Sequence, residues 1–261
     1  MKKSETINFI VNWIKDYYNR NPIEGLIVGV SGGIDSALTS TLCALTGLQT
    51  ICISMPIKQK KEQYNRAINH ITWLKKKYKN INYIDVDLTN IYTEFDNSIS
   101  EKSNKNELAL ANSRSRLRMM TLYYYATINN YIVIGTGNKV EDFGIGFYTK
   151  YGDGGVDISP IADLMKSEVF KLAEQLNINK EIILAEPTDG LWDDERSDED
   201  QIGATYEDIE VIMRKLNKGE DPLKFKGKSK KIYKIYKKFN ESNKHKMIEI
   251  PVCKIPPELK S

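Results

Sequence analysis

Cysteine and histidine are scarce in this 261-residue chain: Cys43, Cys52 and Cys253 stand with only His70 and His245. The cysteines show no paired spacing, which argues against a disulfide scaffold and a zinc site and points to a reducing compartment, the cytoplasm. Two histidines leave little for a histidine-based metal centre. Long apolar runs are also missing. None approaches the roughly 18 residues that a membrane span needs. Met1-Lys2-Lys3 leads into a stretch broken by Asn8, Asn12, Lys15 and Asp16 rather than an apolar signal core. No repeat or linker divides the chain, so residues 1–261 are expected to form one domain, large enough to be stable without disulfides.

Charge is nearly balanced, at +3, but unevenly spread. Residues 193–210 carry nine acidic side chains against Arg196, whereas 214–246 are lysine-rich, from Lys224 and Lys226 to Lys237 and Lys238. A basic stretch attracts polyanions, yet a solvated helix face is the more economical reading here, and a nucleic-acid partner is not expected.

Apolar periodicity outlines the architecture. Helical spacing covers 4–20, 34–46, 60–79, 106–129, 163–176 and 205–217. Strand-like runs fall at Leu26–Val30, Thr50–Met55, Ile81–Val86 and Tyr131–Gly135. Strands alternating with helices predict an α/β fold, a doubly wound parallel sheet with helices on both faces. Ligands of such sheets lie beyond the carboxyl ends of the strands. Residues 143–160 are glycine-rich with little helical periodicity, and 186–203 read as a mobile acidic loop.

After the apolar Leu26-Ile27-Val28 stand Gly29, Val30, Ser31, Gly32, Gly33, Ile34, Asp35 and Ser36, and a helical pattern follows. A strand feeding a glycine turn that opens a helix offers unpaired N–H groups and a positive helix end to an anion. Gly32 and Gly33 allow close approach and a positive φ. Ser31 and Ser36 add hydroxyls. Asp35 would repel phosphates unless a cation lay between, which argues for Mg²⁺. A Walker A loop would need Lys-Ser/Thr after its last glycine, and this one has none. The loop resembles the SGGxDS pyrophosphate loop of the N-type ATP pyrophosphatases.

Three further segments carry matching chemistry. In 112–119, Arg114 and Arg118 share a helix face while Arg116 points elsewhere, toward a cleft. Segment 135–157 holds Thr136, Glu141, Lys150, Asp153 and Asp157 among its glycines. Glu141 is placed to join Asp35 on Mg²⁺, and Lys150 to meet a substrate anion. Lys166, at a helix start, would neutralise phosphoryl charge.

Together, GVSGGIDS (29–36), NSRSRLRM (112–119), GTGNKVED (135–142), TKYGDGGVDISPIADLMKSEV (149–169), the 186–206 segment and His245-Lys246 resemble the ammonia-dependent NAD synthetases. The resemblance runs through nearly the whole chain. It implies a Rossmann-like adenine nucleotide α-hydrolase fold and ATP-dependent amidation of deamido-NAD by ammonia, giving NAD, AMP and pyrophosphate through an adenylated carboxylate. It implies that Gly29 to Ser36, Thr136, Lys166 and Thr188 contact ATP, with Asp35 and Glu141 on Mg²⁺. Arg116, Lys150, Asp157, His245 and Lys246 would contact deamido-NAD, and Asp153 would lie near the reacting carboxylate, with Asp35, Lys166 and Asp153 as the catalytic set. A homodimer is implied, and no glutaminase domain. The spacing from Glu141 to Lys150 is one residue longer than the family's commoner form, so Asp142 competes with Glu141 as metal ligand. Loops 143–157 and 189–201 are the expected lids.

Overall fold

Short runs rich in isoleucine and valine pair into a parallel sheet in the computed structural model, which describes residues 1–99, 106–187 and 197–260. The strands are β1 (Gly25–Gly29), β2 (Thr50–Ser54), β3 (Ile81–Asp85) and β4 (Tyr131–Val133), in the order β3-β2-β1-β4. Leu26 pairs with Thr50 on one side and with Ile132 on the other. A β1 buried along almost its whole length demands cover on both faces. Leu26, Val28, Cys52 and Ile132 face α1 (Lys3–Arg20), α2 (Ile34–Leu45), α3 (Lys61–Lys77) and α6 (Lys166–Gln175). Ile27, Ile51, Ile53 and Val133 face α4 (Thr89–Ser98) and α5 (Asn106–Asn129). The expected doubly wound sheet is therefore present.

The chain leaves β1 toward β2 and β3, then crosses back to β4. The strand order thus reverses between β1 and β4, which opens a crevice at their carboxyl ends. The glycine loop lines one side of that crevice and residues 134–138 the other.

A separate apolar cluster joins a π-helical turn (Val140–Ile145), α9 (Tyr206–Asn217) and α10 (Gly227–Met247) through Val140, Ile145, Met165, Ile209, Met213 and Ile232. The lysine-rich stretch is mostly α10. Ile232 is buried while Lys230, Lys231, Lys234, Lys237 and Lys238 are exposed, so the basic run is a solvated helix face. Two short helices complete the fold: α7 (Lys180–Ile183) and α8 (Asp198–Ile202). The stretch read as an acidic loop therefore contains α8, capped by a reciprocal Ser197–Asp200 pair. The glycine-rich stretch from 143 likewise begins inside a helical turn.

Candidate active site

Gly32 takes φ +86, and a Cβ there would fall 2.5 Å from the Gln63 carbonyl, so only glycine fits. Gly33 does not share that conformation. At φ −88 it is the extended N-cap of α2, and no side chain caps the helix. Ser31 and Ser36 instead hold the loop's shape: Ser36 Oγ donates to the Gly33 carbonyl at 3.0 Å, and Gly33 N–H donates to Ser31 Oγ at 3.2 Å. The first N–H groups of α2 are thereby left for an anion. Behind the loop, Ser40 Oγ donates to the Ser36 carbonyl at 2.7 Å and meets the buried His70 Nε2 at 2.9 Å. Burial pushes His70 down to about 4, so the ring is neutral.

The loop opens into a cleft of about 260 Å³ lined by Gly29 to Ser36, Thr136, Glu141, Asp142, Asp153 and Lys166, among others. Its centre is a charge triad. Lys166, at the first turn of α6, places its ammonium 2.6 Å from Asp35 Oδ2 and 2.9 Å from Glu141 Oε1. Asn138 sets both carboxylates. Its amide donates to Asp35 Oδ1 at 3.1 Å, and its Oδ1 accepts the N–H groups of Val140 and Glu141. Against the penalty of burial, the Lys166 ammonium and the Tyr206 hydroxyl hold Glu141 below its ordinary value. Burial and the Glu141 charge outweigh the same ammonium at Asp35, whose value is raised. The two carboxylates keep Lys166 charged in spite of its burial. Tyr206 donates to Glu141 Oε1 at 2.5 Å, and burial beside Glu141 and Asp198 keeps its phenol protonated.

Glu141 and Asp142 part company here. Glu141 joins Asp35 on Lys166, whereas the Asp142 carboxylate lies against Gly137. Burial and the charges of Glu141, Asp153 and Asp35 raise Asp142 well above its ordinary value. Val140–Ile145 form a π-helical turn, wider than an α-turn, which closes on Gly146 in the left-handed region at φ 62.

A second group of cations lies outside the cleft. Lys150 Nζ donates to the His245 carbonyl at 2.8 Å, Arg116 Nε donates to the Lys150 carbonyl at 3.3 Å, and Lys246 Nζ donates to the carbonyls of Gly146 and Tyr148. Arg116 is exposed rather than turned to the cleft; Arg118 lines it instead. Asp153 stands at the boundary. Its Oδ1 accepts from Ser115 Oγ at 2.6 Å and from Thr149 N–H at 2.9 Å. Asp157 is elsewhere, accepting from Val133 N–H at 2.7 Å and Tyr123 OH at 3.0 Å at the end of β4. Thr188, most of the 189–201 loop and Asp193 to Arg196 lie outside the described residues.

A family model described as NAD synthase matches residues 6–249. The chain belongs to the NAD synthase family. The NH₃-dependent NAD⁺ synthetase of Syntrophomonas wolfei is 34% identical over the full length of both chains. That of Carboxydothermus hydrogenoformans is 39% identical across 78% of this chain and 82% of its own. Among solved structures, NMN synthetase from Francisella tularensis superposes with a TM-score of 0.85 at 32% identity, covering 98% of this chain and 100% of that one. The NH₃-dependent NAD synthetase of Campylobacter jejuni gives 0.79 at 26% identity, with 97% and 100% covered.

Within this family frame, Asn138, Ser115 and Tyr206 are the working side chains that motif reading passed over. All three lie inside the segments that carry the resemblance. Ser115 had a signal: with Asn112 and Met119 it shares the face of α5 on which the 149–155 loop rests.

Proposed function

We propose that this chain uses ATP to amidate the nicotinate carboxylate of deamido-NAD with ammonia, releasing NAD, AMP and pyrophosphate. The observation that carries the reading is the Asp35–Lys166–Glu141 triad, set at the mouth of an uncapped phosphate loop and beside Asp153. A carboxylate is a poor acyl donor, and transfer of the adenylyl group to it creates a good leaving group. Attack at phosphorus brings anions together, so the loop N–H groups and Lys166 must offset their repulsion. Asp153, oriented by Ser115, faces the position where acceptor and ammonia meet. No protein nucleophile is required.

Mg²⁺ fits the donor set. Asp35 and Glu141 are hard oxygen donors brought side by side, where both meet the Lys166 ammonium. Among the described residues no three His, Cys, Asp or Glu side chains group to hold a metal without help. Two carboxylates completed by phosphate oxygens and water is the usual way Mg²⁺ is held, and the ion would neutralise phosphate charge there. Thr136 and Thr188 are assigned to ATP. Arg116, Lys150, His245 and Lys246 are assigned to the acceptor, and Asp157 to shaping its rim.

Ile128, Tyr124 and Met120 are exposed in succession along α5, which supports a homodimer across that face. Unpaired cysteines support a cytoplasmic setting, and no helix among the described residues is long and apolar enough to cross a membrane. The cleft and the acceptor cluster form one synthetase domain.

The likeness to an NMN synthetase favours a second reading, in which the acceptor is the deamidated mononucleotide. The test supplies ATP, Mg²⁺ and ammonium with either acceptor. NAD and AMP in equal amounts from deamido-NAD support the first reading, and NMN alone supports the second. AMP without either product rejects both.

A further inference from the structure

Tyr206 ties the outer helices to the centre of the cleft. Its backbone is fixed twice: Thr205 caps α9, and Tyr206 N–H donates to Glu199 Oε1 at 2.8 Å. Its ring is buried in the cluster of α9, α10 and the π-helical turn, and one ring face lies 4.8 Å from the Lys166 ammonium. Its hydroxyl is 2.5 Å from Glu141 Oε1 and 3.2 Å from Asp198 Oδ2. A phenol has one proton, and the shorter contact takes it. Glu141 Oε1 therefore accepts from Tyr206 and Lys166 together.

A glutamate side chain is long and mobile, and ordering it costs rotamer entropy whenever it binds a cation. Groups that hydrogen-bond a ligand carboxylate remove that cost beforehand, and their loss typically weakens metal binding about 10–100-fold. We infer that Tyr206 is a positioning residue: it orients Glu141 toward Asp35 and thereby sets the affinity of this carboxylate pair for a divalent cation. The inference rests on the Mg²⁺ reading given above. It also makes the α8–α9 corner part of the cation seat, with Asp198 of α8 on the far side of the Tyr206 hydroxyl.

The test is a Mn²⁺ titration followed by electron paramagnetic resonance, with ATP present and acceptor withheld so that no turnover occurs. Wild type is compared with Glu141→Gln, Tyr206→Phe and the double variant, and the metal-free melting of each is recorded. The expected result is about tenfold weaker Mn²⁺ binding for Tyr206→Phe, with no further loss when it is added to Glu141→Gln. Unchanged Mn²⁺ affinity in Tyr206→Phe, alongside a weakened Glu141→Gln, overturns the inference even if the melting point has fallen, since that is a structural role only. Independent losses that add in the double variant overturn it as well. Unchanged affinity in Glu141→Gln removes the Mg²⁺ reading itself, and the inference with it.

Discussion

Two groups of charge, one in the cleft and one outside it, are held in opposite ways. In the cleft, side chain meets side chain: Lys166 lies between Asp35 and Glu141, whose side chains are 18% and 17% exposed. Outside it, cations meet backbone. Lys150 and Lys246 donate to carbonyls of 245, 146 and 148, and Lys246 is only half-buried. The inner group is a set of compensating charges that cannot lose a member cheaply. Among the described residues the outer group forms no salt bridge, and the carboxylate whose charge reaches Lys246 is that of Asp153. The first holds a fixed arrangement of side chains, and the second fastens the 146–150 segment to the end of α10.

This contrast can be broken most directly at Lys166. Lys166→Met leaves two carboxylates facing each other, and stability should fall by about 3–5 kcal/mol, read by thermal melting and partly restored by Mg²⁺. Melting like wild type would show that the inner charges do not depend on one another. Asp35→Asn should keep the fold, checked by circular dichroism, while lowering kcat about 10²–10³-fold. Undiminished NAD formation would remove Asp35 from the metal.

His70 backs the glycine loop through Ser40 and gives the fold a pH signature. Its value falls from the ordinary 6.5 to about 4 in the fold. Between these limits the unfolded chain binds a proton that the folded chain refuses. Stability should therefore decrease as pH drops through this window, by up to about 3 kcal/mol, and stay level on this account above it. His70→Gln should flatten that slope in urea titrations, and an unaltered slope would place the effect in other groups. The smallest expected change belongs to the outer group. Lys150→Ala should raise KM for the acceptor about tenfold, the worth of one charge-assisted hydrogen bond, and leave KM for ATP alone. A shift confined to ATP would put Lys150 on the wrong ligand.

Much of this arrangement was legible before any coordinates. The strand runs Leu26–Val30 and Tyr131–Gly135 placed the two loops that meet, and Asp35, Glu141 and Lys166 were singled out by residue type and position. α5 followed the apolar pattern at 106–129. α4 escaped because Asn90, Thr93, Glu94 and Asp96 dilute its stripe and only Tyr92 is buried. α8 is five residues long, too short for periodicity, although its Ser197–Asp200 cap was there to read. Asn138 and Tyr206 were hidden for another reason. Their partners lie 103 and 65 residues away in the chain, and a polar side chain announces its role only when such segments meet. Arg116 and Arg118 exchanged roles because helix phase alone does not say which face meets the cleft.

The wide turn at 140–145 also bears on how genes of this kind can change length. Phe143 points outward, 55% exposed, so losing it would strip no side chain from the core. Downstream, Asn240 and Asn243 grip the carbonyls of Gly144 and Ile145, while upstream Asn138 holds Glu141. A codon deleted between those anchors would tighten the turn by one residue and leave both ends where they are. Length is usually unforgiving beside a reaction centre. Here the turn is pinned at both ends, so a change of length between the pins would leave the carboxylate next door in place.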